Sequence, residues 1–202
     1  MILYVESIRE MIDIGPNVPR RRNRFLRFIG NLVLRIAGWK ITGSFANEPK
    51  FVLSGGPHTS NWDFIFALMS CWSLELEVHW VGKHTIFRWP FNGLFRYFGG
   101  IPVDRANPGV LYRDILNGFN NNDSFILALA PEGTRRKVKR FKPGFHRIAL
   151  KAGVPIIPAG VDFAKKELEF GTPIIASSDY QADSDKLRSY YSRFTPKYPD
   201  QF

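Results

Sequence analysis

The sequence predicts a single α/β domain: a largely parallel central sheet flanked by helices, with a basic amphipathic helix near its N-terminus. Three observations predict it. Short apolar runs of strand length alternate with longer stretches whose apolar residues recur at helical spacing, the pattern of crossover connections between parallel strands. The chain has 202 residues, 45% of them hydrophobic, enough to bury one sizeable core. Between about residues 20 and 40, arginines crowd ahead of an apolar helical pattern.

The elements follow in order. Residues 1–19 carry little signal beyond a short helix ending near Gly15-Pro16. Arg20, Arg21, Arg22, Arg24 and Arg27 come next, with Phe25, Phe28, Ile29, Leu32, Val33 and Ile36 recurring at helical spacing. Asn31 and Arg35 interrupt that run, and a spanning helix needs about 20 mainly apolar residues. The segment therefore reads either as a helix lying on a membrane or as one packing its apolar face on the domain. Trp39–Phe45 and Lys50–Ser54 read as strands, and 61–74 as a helix. Leu76–Val81 reads as a strand, with His79 packed inside it and Lys83 and His84 at its end. Pro90–Phe98 is helical or irregular, and Gly99–Arg105 is a short strand. Residues 108–120 form an amphipathic helix, and Ser124–Ala130 an apolar strand. A basic loop leads to a helix over Phe145–Lys151 that Gly153 ends. Val154–Val161 is a strand, and 165–176 a final hairpin or edge pair. Leu187, Tyr190, Tyr191 and Phe194 mark one face of a last helix, stopped before Pro196.

Composition narrows the partners. Lys plus Arg number 28 against 18 Asp plus Glu, a net charge of +10, which favours a membrane surface, a nucleic acid or a phosphorylated substrate. The single Cys71 excludes a disulfide framework and any multi-cysteine zinc site. Glu6, Glu10 and Asp13 argue against a secretory signal, so a cytoplasmic location is expected. The four histidines, His58, His79, His84 and His146, form no ligand-spaced cluster, and no metal is expected.

Chemistry concentrates in FVLSGGPHTSNWDFIF, residues 51–66. It reads strand, loop, His58, helix. On one continuous helix, positions five apart diverge by about 140°. With His58 in the loop and Asp63 in the first helical turn, the chain can fold the two together. A carboxylate on one imidazole nitrogen fixes the tautomer and leaves the other free to take a proton. A purely structural reading fits too, because Ser60-Asn61-Trp62-Asp63 matches a capping box. In parallel sheets, ligands bind beyond the carboxyl ends of the strands. His58 follows one strand, Arg105 ends another, and Glu132, Gly133, Thr134 and Arg135 follow a third. Parallel strands would bring a base, two arginines and a glycine turn to one edge, and arginine's planar donor fork suits phosphate.

Four blocks then form a pattern. PHTSNWD resembles the HxxxxD block of the glycerolipid acyltransferases. GGIPVDR resembles that family's second block, PEGTR its third and VPIIP its fourth. They occur in family order from Pro57 to Pro158, about half the chain. The departures are Pro57, Ala130 and Arg136, where the family commonly has Asn, Phe and Ser.

The resemblance implies transfer of a fatty acyl group from acyl-coenzyme A or acyl-carrier protein to a lysophospholipid hydroxyl, with 1-acylglycerol-3-phosphate the first choice of acceptor. His58 would be the general base and Asp63 its orienter. Arg105, Glu132, Gly133, Thr134 and Arg135 would bind the acceptor phosphate, with Glu132 pairing an arginine. Backbone donors near Gly133 are candidates for an oxyanion site. No resident cofactor and no acyl-enzyme are expected. Residues 1–45 would be a membrane-contacting segment, and 46–202 the acyltransferase catalytic domain, peripheral on the inner face of a membrane. The alternative acceptor is another lysolipid, an aminolipid or an alcohol. The rival from another class is a non-catalytic anionic-lipid or nucleic-acid binding module, but no nucleic-acid motif is present and many aromatics occupy core positions.

Overall fold

The most apolar runs take the middle of the sheet. Phe51 and Val52 in β2 (Lys50–Gly56), Ile126 and Leu127 in β5 (Phe125–Leu129) and Ile157 in β6 (Ile156–Asp162) expose no surface. A strand covered on both faces has no polar side to present, hence the continuous rather than alternating pattern. The computed structural model describes residues 12–104 and 108–202. With β1 (Lys40–Gly43), β3 (Val78–Lys83), β4 (Gly100–Val103) and β7 (Glu167–Phe170), the sheet runs β1-β7-β6-β2-β5-β3-β4. Every pairing is parallel except β6 with β7. The α/β fold is as the sequence predicted.

Two hydrophobic clusters lie on the two faces. One packs beneath α1 (Arg24–Ala37) and α2 (Asn61–Ser73). Trp80 of β3 meets Phe64 of α2 and also Phe95 of α3 (Asn92–Tyr97), which places α3 on that same face. The other cluster gathers α4 (Pro108–Asn121), α5 (Gly144–Ala152) and α6 (Tyr180–Tyr191).

α1 has a buried side and an exposed apolar side. Leu26, Gly30 and Leu34 are buried. A Cβ at Gly30 would stand 2.6 Å from the Met69 carbonyl oxygen, so glycine permits the close approach to α2. Phe25, Phe28 and Ile36 nonetheless stay 69%, 61% and 78% exposed. The arginines at the start of the helix are partly structural. Arg20 donates to the carbonyls of Leu74 and Ile14, Arg21 to that of Tyr97, and Arg27 pairs with Glu75 at 3.2 Å. Trp39 stacks on Phe66 of α2 with ring centroids 4.0 Å apart, so residues on both sides of position 45 share one core.

Some boundaries differ from expectation. Leu76 makes only an isolated bridge to Arg20, and β3 starts at Val78. Glu75 adopts a left-handed φ of 57°, and the chain needs two further residues to enter the sheet. Residues 165–176 supply the expected hairpin partner, but β7 is not an edge. β1 adds to its outer side in parallel, Lys40 opposite Glu167. Residues 12–15 carry no helix, and the rest of the short N-terminal helix expected there lies outside the described residues. Among the described residues, no helix is long and apolar enough to cross a membrane.

Candidate active site

β2 and β5 are parallel neighbours, with Ser54 opposite Leu129. Their carboxyl ends therefore deliver Pro57-His58 and Pro131-Glu132 to the same edge, side by side.

The first loop turns straight into α2. Ser60 is the N-cap, its Oγ accepting from the amides of Trp62 and Asp63. Asp63, at the third helical position, reaches back. Its Oδ2 accepts from the amides of Thr59 and Ser60, both at 2.6 Å, and Oδ1 from the Ser60 hydroxyl. His58, two residues before the cap, lays its Nδ1 3.3 Å from the same Oδ2. The capping box and the His-Asp pair, alternatives at the level of sequence, are one structure. The five-residue spacing works because the cap folds the loop back over the first turn.

Burial separates the two roles. The Asp63 side chain is 4% exposed and that of His58 25%. Burial pushes the Asp63 carboxyl up, yet the hydrogen bonds from His58 and Ser60 outweigh it and hold the group below its ordinary value. A buried, ionised carboxylate thus fixes Nδ1, and Nε2 is left for chemistry.

Glu132 holds the histidine from the other side. It is 2% exposed, and its Oε1 accepts from the backbone amide of His58 at 3.0 Å. The expected arginine partner is not what it meets among the described residues. No described residue donates to Oε2. Burial raises the Glu132 carboxyl above its ordinary value, against the two backbone hydrogen bonds that lower it. Gly133 supplies a turn, and does so in the left-handed region at φ +58°. Its amide donates to the Ala130 carbonyl at 3.1 Å, closing that turn, and so is committed to it rather than to an oxyanion.

Thr134 and Arg135 face a cleft of about 490 Å³ whose other walls include Thr59, Asn61, Arg136 and Gln201. Arg135 donates to the Asn61 side chain at 2.5 Å, linking the two loops a second time. Sequence reasoning missed this asparagine, which carries no signal beyond following the cap. It also missed the C-terminal segment. The Tyr198 amide donates to the Thr59 hydroxyl at 3.3 Å. With its amide nitrogen turned inward, Gln201 donates to the carbonyls of Arg135 and Thr59, at 2.6 and 3.0 Å. A contact across about 140 residues has no local signature. Arg105 lies outside the described residues.

The remaining candidates fall away from this edge. His79 stacks on Phe125, and burial lowers its pKa. His146 faces the buried Asp183 at 3.1 Å. Cys71 is buried, its thiol pushed up to about 12, which leaves no thiolate to act as nucleophile. Among the described residues, no group of three His, Cys, Asp or Glu side chains is placed to hold a metal ion. The fourth block, VPIIP, enters β6 and serves the sheet core.

Residues 47–162, more than half the chain, match the sequence model of the acyltransferase family. The chain belongs to this family. The matched residues contain β2, α2, β5 and both loops just described. Relatives include a 1-acyl-sn-glycerol-3-phosphate acyltransferase of Limnanthes douglasii, 29% identical over 147 residues, covering 69% of this chain and 51% of the relative. One from Haemophilus influenzae is 32% identical over 109 residues, covering 51% and 44%. The chain thus spans about half the length of the curated relatives it matches. The crystal structure of the 1-acyl-sn-glycerophosphate acyltransferase PlsC from Thermotoga maritima superposes with a TM-score of 0.61 at 18% identity, over 84% of this chain and 76% of that one. That likeness supports the same α/β fold for this acyltransferase-family chain.

Proposed function

We propose that this chain transfers a fatty acyl group from acyl-coenzyme A or acyl-carrier protein to the free hydroxyl of a lysophospholipid, 1-acylglycerol-3-phosphate foremost, as the relatives' names suggest. The observation that carries the reading is the His58–Asp63 pair at 3.3 Å, its carboxylate buried and its imidazole reaching the surface beside a cationic cleft. His58 Nε2 takes the proton of the acceptor hydroxyl. The oxygen attacks the thioester carbonyl carbon, and a tetrahedral adduct forms. As it collapses, the C–S bond breaks and the thiolate takes the proton back from the imidazolium. Asp63 keeps Nδ1 protonated and stabilises the transient cation. The acyl group never rests on the protein.

Arg135 and Thr134, with Arg105 as a further donor, receive the acceptor's phosphate. Charge-assisted, bidentate contacts of this kind select an anionic acceptor over a neutral alcohol. The exposed apolar side of α1 rests on the inner face of a membrane, peripherally, where lysolipids are found. The +10 net charge favours an anionic leaflet.

The test is acyl transfer by the purified chain. Long-chain acyl-coenzyme A and acyl-carrier protein are offered with lysophosphatidate and a panel of neutral and zwitterionic lysolipids, beside His58→Ala. Product from wild type alone, best with lysophosphatidate, is expected. Equal product from His58→Ala would refute the mechanism, and preference for a neutral acceptor would refute the phosphate assignment.

A further inference from the structure

The crossover from β3 to β4 exposes more apolar surface than its length warrants. Trp89 is 91% exposed, and Phe91, Leu94 and Tyr97 are 56%, 47% and 54% exposed. The segment is nevertheless anchored. Phe87 and Phe95 pack on Trp80 of β3, and the Trp80 indole donates to the Phe98 carbonyl at 2.8 Å. The core therefore takes two of the aromatics and leaves the others outside.

The charge around the segment is mostly basic, Glu75 being paired with Arg27. No acidic residue occurs between Glu77 and Asp104, while Lys83, Arg88 and Arg96 do, all exposed. The same holds around α1, where no acid occurs between Asp13 and Glu48. The two acid-free stretches meet at Tyr97. Arg21 donates to its carbonyl and lies 4.4 Å over its ring, and the Asn23 amide reaches its hydroxyl at 3.4 Å. Both flank α2 on one face of the sheet.

We infer that the crossover over residues 84–97 is a second membrane-contacting element, which with α1 lays this face of the domain on an anionic bilayer. The inference deepens the peripheral reading given above and rests on it. The chemistry of the patch selects the occupant. Trp and Tyr rings partition to the head-group level, with an apolar body and a polar edge. Leucine and phenylalanine enter the acyl boundary, and arginine and lysine remain among lipid phosphates. Two elements set the domain's tilt, whereas one helix leaves it free to roll. Because α2 lies between them and begins at the cap that holds His58, a fixed tilt also fixes the height of the catalytic edge above the leaflet.

The test uses the whole chain and phosphatidylcholine vesicles, with and without phosphatidylglycerol, carrying lipid brominated on its acyl chains. The difference between wild type and Trp89→Phe isolates the Trp89 emission from the other four tryptophans. Bromolipid should quench that emission, in anionic vesicles above all. The triple variant Trp89→Ala, Phe91→Ala, Leu94→Ala should partition at least about tenfold more weakly, since affinity scales with buried apolar area. Its melting temperature should hold, because all three side chains are exposed. Vesicle binding with Trp89 unquenched would overturn the inference and leave α1 as the only contact. Acyl transfer to detergent-dispersed acceptor without any vesicle binding would overturn it while leaving the chemistry intact. Self-association in vesicle-free buffer that the triple variant abolishes, with Trp89 unquenched on vesicles, would assign the patch to a second copy and overturn it too.

Discussion

The backbone amide of His58 donates to Glu132 Oε1 at 3.0 Å, joining two loops 74 residues apart in the chain. The imidazole is thereby held at both ends: its Nδ1 by Asp63, and its own backbone by Glu132. Neither partner is replaceable by water in a buried site. A histidine fixed this way presents Nε2 in one direction.

Removing the base should abolish chemistry without unfolding the protein. Positioned base catalysis contributes about 10²- to 10⁴-fold, so His58→Ala is expected to lose at least about 100-fold in kcat. The side chain is partly exposed, and the melting temperature should move little. Steady-state rates with thermal denaturation check both. Asp63→Asn should cost comparable activity and also stability, because that carboxylate closes the α2 cap as well as the catalytic pair.

Glu132 separates geometry from charge. Glu132→Gln keeps an acceptor for the His58 amide and should retain much of the activity. Glu132→Ala leaves that amide unpaired and should lose about 1–3 kcal/mol of stability. The pH dependence has a definite sign. The buried carboxyl sits above its unfolded value of 4.5, so the unfolded chain releases the proton first, and stability falls as pH rises from 4.5 through the folded value. Glu132→Gln should therefore gain melting temperature relative to wild type as pH rises above 4.5. Asp63 works the other way. Its contribution is present above 3.8 and is lost as pH falls through its lower folded value. Melting curves across pH for wild type and both Gln and Asn variants would show opposite trends; parallel curves would count against these assignments.

Gly133→Ala should be costly in a place where alanine usually is not. The residue adopts φ +58°, and an added Cβ would lie 2.8 Å from Lys142 Cδ. The left-handed conformation costs a side-chain-bearing residue about 1–2 kcal/mol. For a chain of this size that is a fall of about 2–8 °C in melting temperature. Activity should fall further than stability, since the turn aims Thr134 and Arg135.

Arg135→Ala should raise the acceptor KM by roughly ten- to a hundredfold and leave the thioester KM near wild type, because a hydrogen bond to a charged group is worth about 1.5–3 kcal/mol. Arg135→Lys should recover little, as an ammonium lacks the planar fork. Arg105→Ala should show the same acceptor-selective effect. An unchanged acceptor KM in either alanine variant would remove that arginine from the phosphate site.

Much of this protein is written locally. Apolar runs of strand length had to form strands, and continuous ones had to be buried on both faces. Ser60 and Asp63 dictate where α2 begins. Gly153 ends α5 in a left-handed cap, a conformation that a residue without a Cβ adopts at least cost. The parallel order places His58 and Glu132–Arg135 at one edge, since strand direction alone fixes which loops share it. What the sequence could not decide are the contacts between distant segments. Nothing near Glu132 says that it meets a backbone amide rather than an arginine. Nothing near Gln201 says that it bridges Thr59 and Arg135. Nor does periodicity tell which apolar side of α1 is buried, because Leu34 and Ile36 are alike in hydrophobicity and differ only in facing α2 or solvent. Local pattern specifies what a residue can satisfy; the packing of elements far apart in the chain decides what it does satisfy.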